Sequence, residues 1–181
     1  MEEGETGMNT KKVLLTGADG FLGSHILRNL LEKEYQVRAF LQEGRDHATI
    51  QGLPYEPFFG DLLNDDEIEQ ALKGCDYLIH TVAITDIWPN RSELQRKINF
   101  DVVKKITVAA KKHDIQRMVH IGTANSFGYG GRDNPGNENS PYAFAKFGLD
   151  YMDTKRAAQD FLLSEAQDKG FPVIVVNPTF M

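Results

Sequence analysis

A tyrosine and a lysine four residues apart are the side chains of this sequence best suited to move a proton. Tyr151 and Lys155 lie in a run over residues 149–169 that contains neither Gly nor Pro, which predicts a helix with both side chains on one face. A free tyrosine titrates at about pH 10, and nearby positive charge favours its phenolate. Such a pair can exchange a proton with a carbonyl or hydroxyl oxygen.

A second pair with the same spacing, Tyr142 and Lys146, competes for this role. Tyr142 directly follows Pro141, and its segment ends at Gly148, which leaves barely two turns of helix. We therefore favour the pair on the longer run.

A glycine-rich turn near the start of the chain predicts an anion site. The apolar run 13–15 predicts a buried strand, and Gly17, Gly20 and Gly23 lead from it into a helix whose apolar residues recur at helical spacing. Gly17 permits the tight turn, Gly20 lets backbone approach a phosphate, and Gly23 lets the helix pack closely on the sheet. A phosphate would lie at the helix N-terminus, where free N–H groups and the helix dipole favour negative charge. This turn predicts dinucleotide binding rather than an ordinary strand-to-helix connection, with binding residues Gly17, Asp19, Gly20, Phe21 and Leu22.

Strands and helices alternate along the rest of the sequence. Because crossovers between parallel strands are right-handed, this alternation predicts an α/β Rossmann-type doubly wound parallel sheet of order 3-2-1-4-5-6, with helices on both faces. Besides the first strand and its helix, the predicted strands are 35–41, 55–59, 76–81, 117–121 and 171–176, and the predicted helices are 65–73, 93–112 and 149–169.

The spacing T-G-x-x-G-x-x-G at 16–23 resembles the extended branch of the short-chain dehydrogenase/reductase superfamily. That branch includes sugar-nucleotide epimerases and dihydroflavonol-reductase-like enzymes. Four further segments resemble its motifs: 80–83 its H-x-A-A, 122–128 its S-S-x-x-x-Y-G, 151–159 its Y-x-x-S-K-x-x-x-E, and 177–180, N-P-T-F, its R-P turn beside the nicotinamide.

The resemblance implies a role for each site residue. Thr123 takes the position of the functional hydroxyl, Tyr151 exchanges the proton, and Lys155 also holds the nicotinamide ribose. Asn99 helps to hold the active-site backbone or a water, with a plain helix residue as the alternative. Pro178 lies beside the nicotinamide.

The sequence departs from the family's pattern at several positions. Gly122 and Phe127 replace the usual residues around the hydroxyl, and Asn177 replaces the usual arginine. Ala124 and Asn125 stand where sugar-nucleotide dehydratases carry an Asp-Glu pair, so dehydration is not expected.

The end of the second predicted strand is where this fold selects between NAD and NADP. An acid there would hold the ribose hydroxyls of NAD, whereas an arginine would accept the 2′-phosphate of NADP. Leu41 and Gln42 occupy the usual positions, Glu43 follows, and Arg45 lies slightly further on. The missing acid favours NADP as the cofactor, with NAD as the alternative.

Further cofactor contacts are implied by the resemblance. Asp61, beside Leu62, is expected to meet the adenine amino group, with a turn or capping role as the alternative. Thr81, Val82 and Ala83 are expected to pass beneath the cofactor, while His80 is expected to be a packed strand-end histidine.

Two predicted loops lie on the substrate side. The loop at 84–91 contains Trp88, a candidate substrate wall, with a cover for the sheet edge as the alternative. The loop at 130–140 is rich in Gly, Asn and Pro. We expect both loops to lie where ligands of open α/β sheets bind.

Composition excludes several classes of function. The 181 residues carry a formal net charge of −6, from 26 acidic and 20 basic residues, which argues against a nucleic-acid surface. The single cysteine, Cys75, cannot form an internal disulfide, the five histidines show no ligand-like pairing, and no apolar run is long enough to cross a membrane. We expect a cytoplasmic protein with a flexible tail at 1–11, one dinucleotide-binding domain at 12–181, no metal and no nucleic-acid or membrane partner.

The predicted activity is hydride transfer between a nicotinamide and a carbonyl or secondary alcohol of a small-molecule substrate. The alternatives are a sugar-nucleotide epimerase and a non-catalytic redox sensor. Full-length members of the extended branch continue well beyond this length into a substrate-binding region. We therefore expect the chain to bind NADP(H) but to turn over poorly. We also expect it to associate through apolar surface near Val176 and Phe180, with a homodimer as the candidate assembly.

Overall fold

Six parallel strands form one sheet in the order β3-β2-β1-β4-β5-β6 in the computed structural model, which describes residues 11–179. This is the predicted strand order. Of the expected tail, only Lys11 lies within the described residues. The strands are β1 (Lys12–Thr16), β2 (Gln36–Leu41), β3 (Glu56–Phe59), β4 (Tyr77–His80), β5 (Arg117–Ile121) and β6 (Val173–Val176).

Each predicted strand is present, and several are one or two residues shorter than predicted. β4, for example, was predicted over 76–81 and spans Tyr77–His80. Strand ends depend on where the ladder of backbone hydrogen bonds stops, which the apolar pattern alone does not specify.

Between residues 11 and 179, five α-helices connect or follow these strands. The helix predicted over 93–112 is divided, because a π-helical segment, Lys97–Asp101, joins its two α-helical parts and contains Asn99. The helices are α1 (Phe21–Glu32), α2 (Asp65–Leu72), α3 (Glu93–Arg96), α4 (Val102–Lys112) and α5 (Asp150–Lys169).

The core lies on both faces of the sheet. Side chains alternate along a strand, so the neighbours Leu14 and Leu15 of β1 enter different clusters. Leu15 packs with Leu27 of α1. Leu14 packs with residues of α2, α4 and α5, including Ile106 and Leu162. Helices therefore cover both faces, as predicted.

This topology places three strand ends side by side. β1, β4 and β5 are adjacent and parallel, and Thr16 of β1 pairs with His80 of β4, which pairs with His120 of β5. The segments that follow these strands therefore share one edge of the sheet.

Two classes of feature are missing from the described residues. No helix within 11–179 is long and apolar enough to cross a membrane. The same stretch contains no group of three His, Cys, Asp or Glu side chains that could hold a metal ion.

Candidate active site

The glycine turn between β1 and α1 is packed too tightly for other residues at two of its glycines. Gly17 has φ +72°, and a Cβ on it would lie 2.5 Å from the Thr81 hydroxyl oxygen. A Cβ on Gly23 would overlap the Gly17 carbonyl oxygen. Both glycines are thus required by the fold itself.

Gly20 has a different environment. Its φ of −77° suits any residue, and a Cβ on it would meet only the Gly17 carbonyl oxygen, at 3.4 Å. It precedes α1, whose N-terminus has no side-chain cap and no acidic residue in its first turn. The exposed backbone there can approach a phosphate, so the residues present fit a dinucleotide.

The loop after β2 is tied to this turn by contacts that the sequence analysis missed. The His47 Nδ1 atom lies 3.1 Å from a carboxylate oxygen of Asp19, and the Thr49 hydroxyl donates to the Asp19 carbonyl at 2.8 Å. No motif signals this pairing, because the partners are 28 or more residues apart and lie in two loops.

Two of the predicted cofactor residues, Gln42 and Arg45, lie in that loop and are exposed. Within residues 11–179 the Arg45 guanidinium forms no ion pair. It is therefore available to an anionic ligand.

Asp61 serves a local turn in this structure. Its carboxylate accepts the backbone N–H of Leu63 at 2.9 Å. The residue is exposed at the end of β3, and the neighbouring Leu62 is buried in the core. A carboxylate has further acceptor sites, so this turn contact leaves Asp61 able to accept another N–H.

The segment after β4 is held by side chains of the divided helix. The Asn99 side-chain oxygen accepts the N–H of Ile84 at 2.8 Å, and its amide donates to the Ile84 carbonyl at 2.9 Å. Gln95, a residue not singled out from the sequence, donates to the carbonyls of Ile84 and Asp86. The backbone that leads on from Thr81, Val82 and Ala83 is thereby fixed beside the end of β1.

Two departures from the family's pattern are explained by one contact at the end of β5. The Asn177 side-chain oxygen accepts the N–H of Thr123 at 2.9 Å. A Cβ on Gly122 would overlap that same oxygen. Glycine at 122 and asparagine at 177 therefore belong together.

Thr123 itself is buried at 5% exposure. Its hydroxyl oxygen accepts the N–H of Asn125 at 3.3 Å, which leaves the hydroxyl proton available. Next to it, the Ala124 N–H donates to the Pro178 carbonyl at 2.9 Å, so Pro178 lies at the same strand ends.

Lys155 reaches this edge from α5. Its side chain is buried and its ammonium donates to the Ile121 carbonyl, the last of β5, at 2.5 Å. Burial lowers the pKa of Lys155 from the usual 10.5 to about 8. Tyr151 lies one turn earlier, in the first turn of α5, and is partly buried.

Two buried histidines lie beneath Lys155. The rings of His80 and His120 stack with centroids 5.5 Å apart, and His80 Nδ1 shares a hydrogen bond of 2.8 Å with the Thr16 hydroxyl. Burial lowers the pKa of His80 to about 3, and the Lys155 charge adds to the shift. The pKa of His120 is lowered by the same two causes. Both rings are therefore neutral, and the site carries its positive charge on Lys155.

The competing pair, Tyr142 and Lys146, is not arranged for proton transfer. The Tyr142 hydroxyl donates to a carboxylate oxygen of Asp153 at 2.6 Å, and burial, followed by this contact, raises the pKa of Tyr142 above its usual value. Lys146 is exposed, and its ammonium lies 5.1 Å from the centroid of the Phe147 ring.

The sequence also matches known proteins. The family model described as "NAD dependent epimerase/dehydratase family" matches residues 13–181. The chain is 33% identical over 167 residues to the sterol demethylase protein B of Methylococcus capsulatus, covering 91% of this chain and 50% of that protein. It is 28% identical over 179 residues to the 3-beta-hydroxysteroid dehydrogenase of Mycolicibacterium neoaurum, covering 93% of this chain and 47% of that one.

Solved structures share the fold. The UDP-glucose 4-epimerase of Thermus thermophilus, solved as a complex with NAD, superposes with a TM-score of 0.79 at 20% identity, covering 92% of this chain and 54% of that one. The chain spans about half the length of the curated relatives it matches. With a glycine turn built for close backbone approach and a family match that runs almost from end to end, the chain belongs to the NAD dependent epimerase/dehydratase family.

Proposed function

We propose that this chain binds NADP(H) and serves an oxidoreductase that transfers a hydride between the nicotinamide and a carbonyl or secondary alcohol. The observation that carries the proposal is the buried Lys155 ammonium, held by the last carbonyl of β5 one helical turn from Tyr151. A buried lysine costs stability, so its retention at the ligand-binding edge of the sheet argues for a role in chemistry.

Tyr151, Thr123 and Lys155 each have a separate role in the proposed reaction. Bound NAD(P) would supply or accept the hydride. In reduction, the Tyr151 hydroxyl gives its proton to the substrate oxygen as the carbonyl carbon gains the hydride; in oxidation, the Tyr151 phenolate removes the hydroxyl proton. The free hydroxyl proton of Thr123 holds the same oxygen, and the Lys155 ammonium places a positive charge one helical turn from Tyr151.

The choice of NADP over NAD depends on the loop after β2. Leu41, at the end of β2, is apolar and buried, so no carboxylate stands there to bind ribose hydroxyls. Arg45 follows in the loop, exposed and without an ion-pair partner among residues 11–179. A 2′-phosphate would find a free guanidinium there, with which it can form charge-assisted hydrogen bonds.

Titration with NADPH and NADH, followed by nicotinamide fluorescence, tests binding. We expect saturable binding, tighter for NADPH, and at least about tenfold weaker binding in Lys155→Met. Lys73→Met, which removes an exposed lysine at the end of α2, is the control and should bind as the parent does. Failure to bind either nucleotide would overturn the proposal.

Turnover separates the classes of activity. The chain is assayed beside a longer polypeptide that continues past residue 181, with aldehydes, ketones and UDP-sugars. We expect the longer protein to reduce a carbonyl and the 181-residue chain to do so poorly, because orienting a substrate contributes roughly 7–11 kcal/mol to catalysis. Epimerisation of a UDP-sugar would instead identify an epimerase. Binding without any turnover by the longer protein would favour a redox sensor.

A further inference from the structure

The loop after β2 is anchored at both of its ends, and its exposed middle carries Arg45. At its start, Leu41 is buried at the end of β2. At its end, Ile50 is fully buried in the core cluster that also contains Ala18 of the glycine turn. Residues 42–46, between these anchors, are exposed. Contacts near the end of the loop therefore limit where the Arg45 guanidinium can lie.

Two side chains near the end of this loop contact the glycine turn at one residue. The His47 Nδ1 atom lies 3.1 Å from a carboxylate oxygen of Asp19, and the Thr49 hydroxyl donates to the Asp19 carbonyl at 2.8 Å. Nδ1 can donate to a carboxylate both from a neutral ring protonated on this atom and from an imidazolium. We call Asp19, His47 and Thr49 the loop latch. Because Asp19 lies between Gly17 and Gly20, the latch joins the loop directly to the proposed phosphate turn.

The latch is also connected to α1 and to β3. The Arg28 guanidinium of α1 donates to the Thr49 carbonyl and to the Ser24 carbonyl. The His47 ring lies 6.0 Å, centroid to centroid, from the ring of Phe59 at the end of β3. These contacts fix the end of the loop against three separate parts of the fold.

The exposed part of the loop carries charges of both signs. A carboxylate such as Glu43 can accept hydrogen bonds from the ribose hydroxyls of NAD, whereas a guanidinium such as Arg45 can bind the 2′-phosphate of NADP. Gly44 separates them with φ +74°, and the Arg45 N–H donates to the Gln42 carbonyl at 3.4 Å, so both lie in one tight turn. His47 is two residues from Arg45 and four from Glu43. The latch therefore restrains the guanidinium more closely than the carboxylate.

We propose that the loop latch sets the preference for NADPH over NADH by holding Arg45 where the 2′-phosphate binds. His47 and Thr49 act as positioning residues, because they contact the glycine turn while Arg45 contacts the phosphate. The inference rests on the proposed function and adds the contacts on which its choice of cofactor depends. A loop that is already held in its binding conformation loses less conformational entropy when the ligand binds. NADH lacks the 2′-phosphate, so its binding should depend little on the latch.

Binding of NADPH and NADH to three variants, followed by nicotinamide fluorescence, tests this role. In His47→Ala we expect the ratio of the NADH Kd to the NADPH Kd to fall about tenfold, through weaker binding of NADPH. Thr49→Val keeps the shape of the side chain without its hydroxyl donor and should lower the ratio about threefold. His47→Asn keeps an N–H donor near the position of Nδ1, so its ratio should stay within about twofold of the parent's.

The control is His113→Ala. His113 is partly buried, as His47 is, but it lies at the C-terminal end of α4, before the start of β5. Its variant should keep the parent's ratio. An unchanged ratio in His47→Ala, or an equal fall in His47→Asn, would overturn the inference. A parent that binds neither nucleotide, or binds NADH as tightly as NADPH, would instead contradict the proposed function.

Amide hydrogen exchange over residues 42–50, measured without nucleotide, reports on the latch independently of binding. We expect faster exchange of this loop in His47→Ala and Thr49→Val than in the parent, and parent-like exchange in His47→Asn and His113→Ala. Exchange of α4 should be the same in the parent and both latch variants. Loop exchange in His47→Ala that equals the parent's would overturn the inference, because the latch would then not hold the loop.

Discussion

Burial of the Lys155 ammonium destabilises the folded protein, although the proposed chemistry requires this charge. Its ammonium is buried and has one hydrogen-bond partner among the described residues, the Ile121 carbonyl, although an ammonium can donate three hydrogen bonds. The neutral His80 and His120 beneath it add no compensating negative charge. The folded protein therefore opposes the charged form that the proposed chemistry requires, which is a common feature of active sites.

This cost predicts that Lys155→Met is more stable than the parent chain at pH 7, by about 1–3 kcal/mol, even though it binds nucleotide less well. The pKa is about 8 in the folded chain and 10.5 ordinarily, so the unfolded chain binds the extra proton between these values. The difference in unfolding free energy between Lys155→Met and the parent should have its full size below pH 8 and should vanish as the pH rises past 10.5. Urea unfolding at pH 7, 9 and 11 measures it.

If the unfolding free energies of Lys155→Met and the parent differed by the same amount at every pH, the cause would be packing and not the charge of Lys155. Lys73→Met again serves as the control, because Lys73 is exposed and its ammonium forms no ion pair within residues 11–179. We expect its unfolding free energy to stay within about 0.5 kcal/mol of the parent's at all three pH values.

At the scale of elements, we propose that the turn between β1 and α1 divides its glycines between folding and binding. Gly17 and Gly23 are required by close contacts within the protein. Gly20 is exposed, has an ordinary backbone conformation and precedes an uncapped helix. No close contact within the described residues requires glycine at this position, so we propose that a ligand phosphate does.

Alanine substitutions separate these roles. We expect Gly20→Ala to lose no more than about 1 kcal/mol of stability, the usual range for changes at a helix N-cap, and to weaken NADPH binding at least about tenfold. Gly23→Ala should lose about 2 kcal/mol or more, because its Cβ would overlap a backbone oxygen. Thermal unfolding and nicotinamide fluorescence measure the two effects.

Gly131→Ala is the control, since a Cβ there would meet nothing within 4 Å. Both its stability and its nucleotide binding should match the parent's. Unchanged nucleotide binding in Gly20→Ala would contradict the assignment of this turn to a phosphate.

On the scale of the whole molecule, the sheet is covered unevenly. Val173 and Val175 of β6 pack against the core on the face shared by α2, α4 and α5. Ile174 and Val176 point to the opposite face, and each is 45% exposed. Ile174 pairs with Val119 of β5, which is partly buried, so the apolar surface continues across two strands.

We expect this surface to make the chain associate as concentration rises. Phe180, which the sequence analysis placed beside Val176, lies outside the described residues. Ile174→Thr/Val176→Thr keeps β-branched residues in the strand but removes apolar area, and should remain monomeric to about tenfold higher concentration. Sedimentation velocity over a concentration series measures this.

Val108→Thr, at a 65% exposed position on α4, is the matched control and should associate as the parent does. Association of the double variant at the parent's concentrations would place the interface elsewhere.

The sequence alone determined the features that depend on neighbours along the chain. The strand order followed from the alternation of apolar runs and helical periodicity, because right-handed crossovers leave few arrangements of such a pattern. The spacing of Gly17, Gly20 and Gly23 predicted the turn, and the uninterrupted run over 149–169 predicted the long helix α5 that carries Tyr151 and Lys155. All of these signals are local in the sequence, so they can be recognised without knowledge of the fold.

Tertiary structure decided the features that depend on residues far apart in sequence. Asn177 occupies the space that Gly122 leaves open, His47 pairs with Asp19, and neither contact follows from any local pattern. The low pKa of Lys155 likewise depends on burial against β5. Such contacts arise only once the strands are in register and the helices are packed across them, because register and packing set which distant side chains share one space.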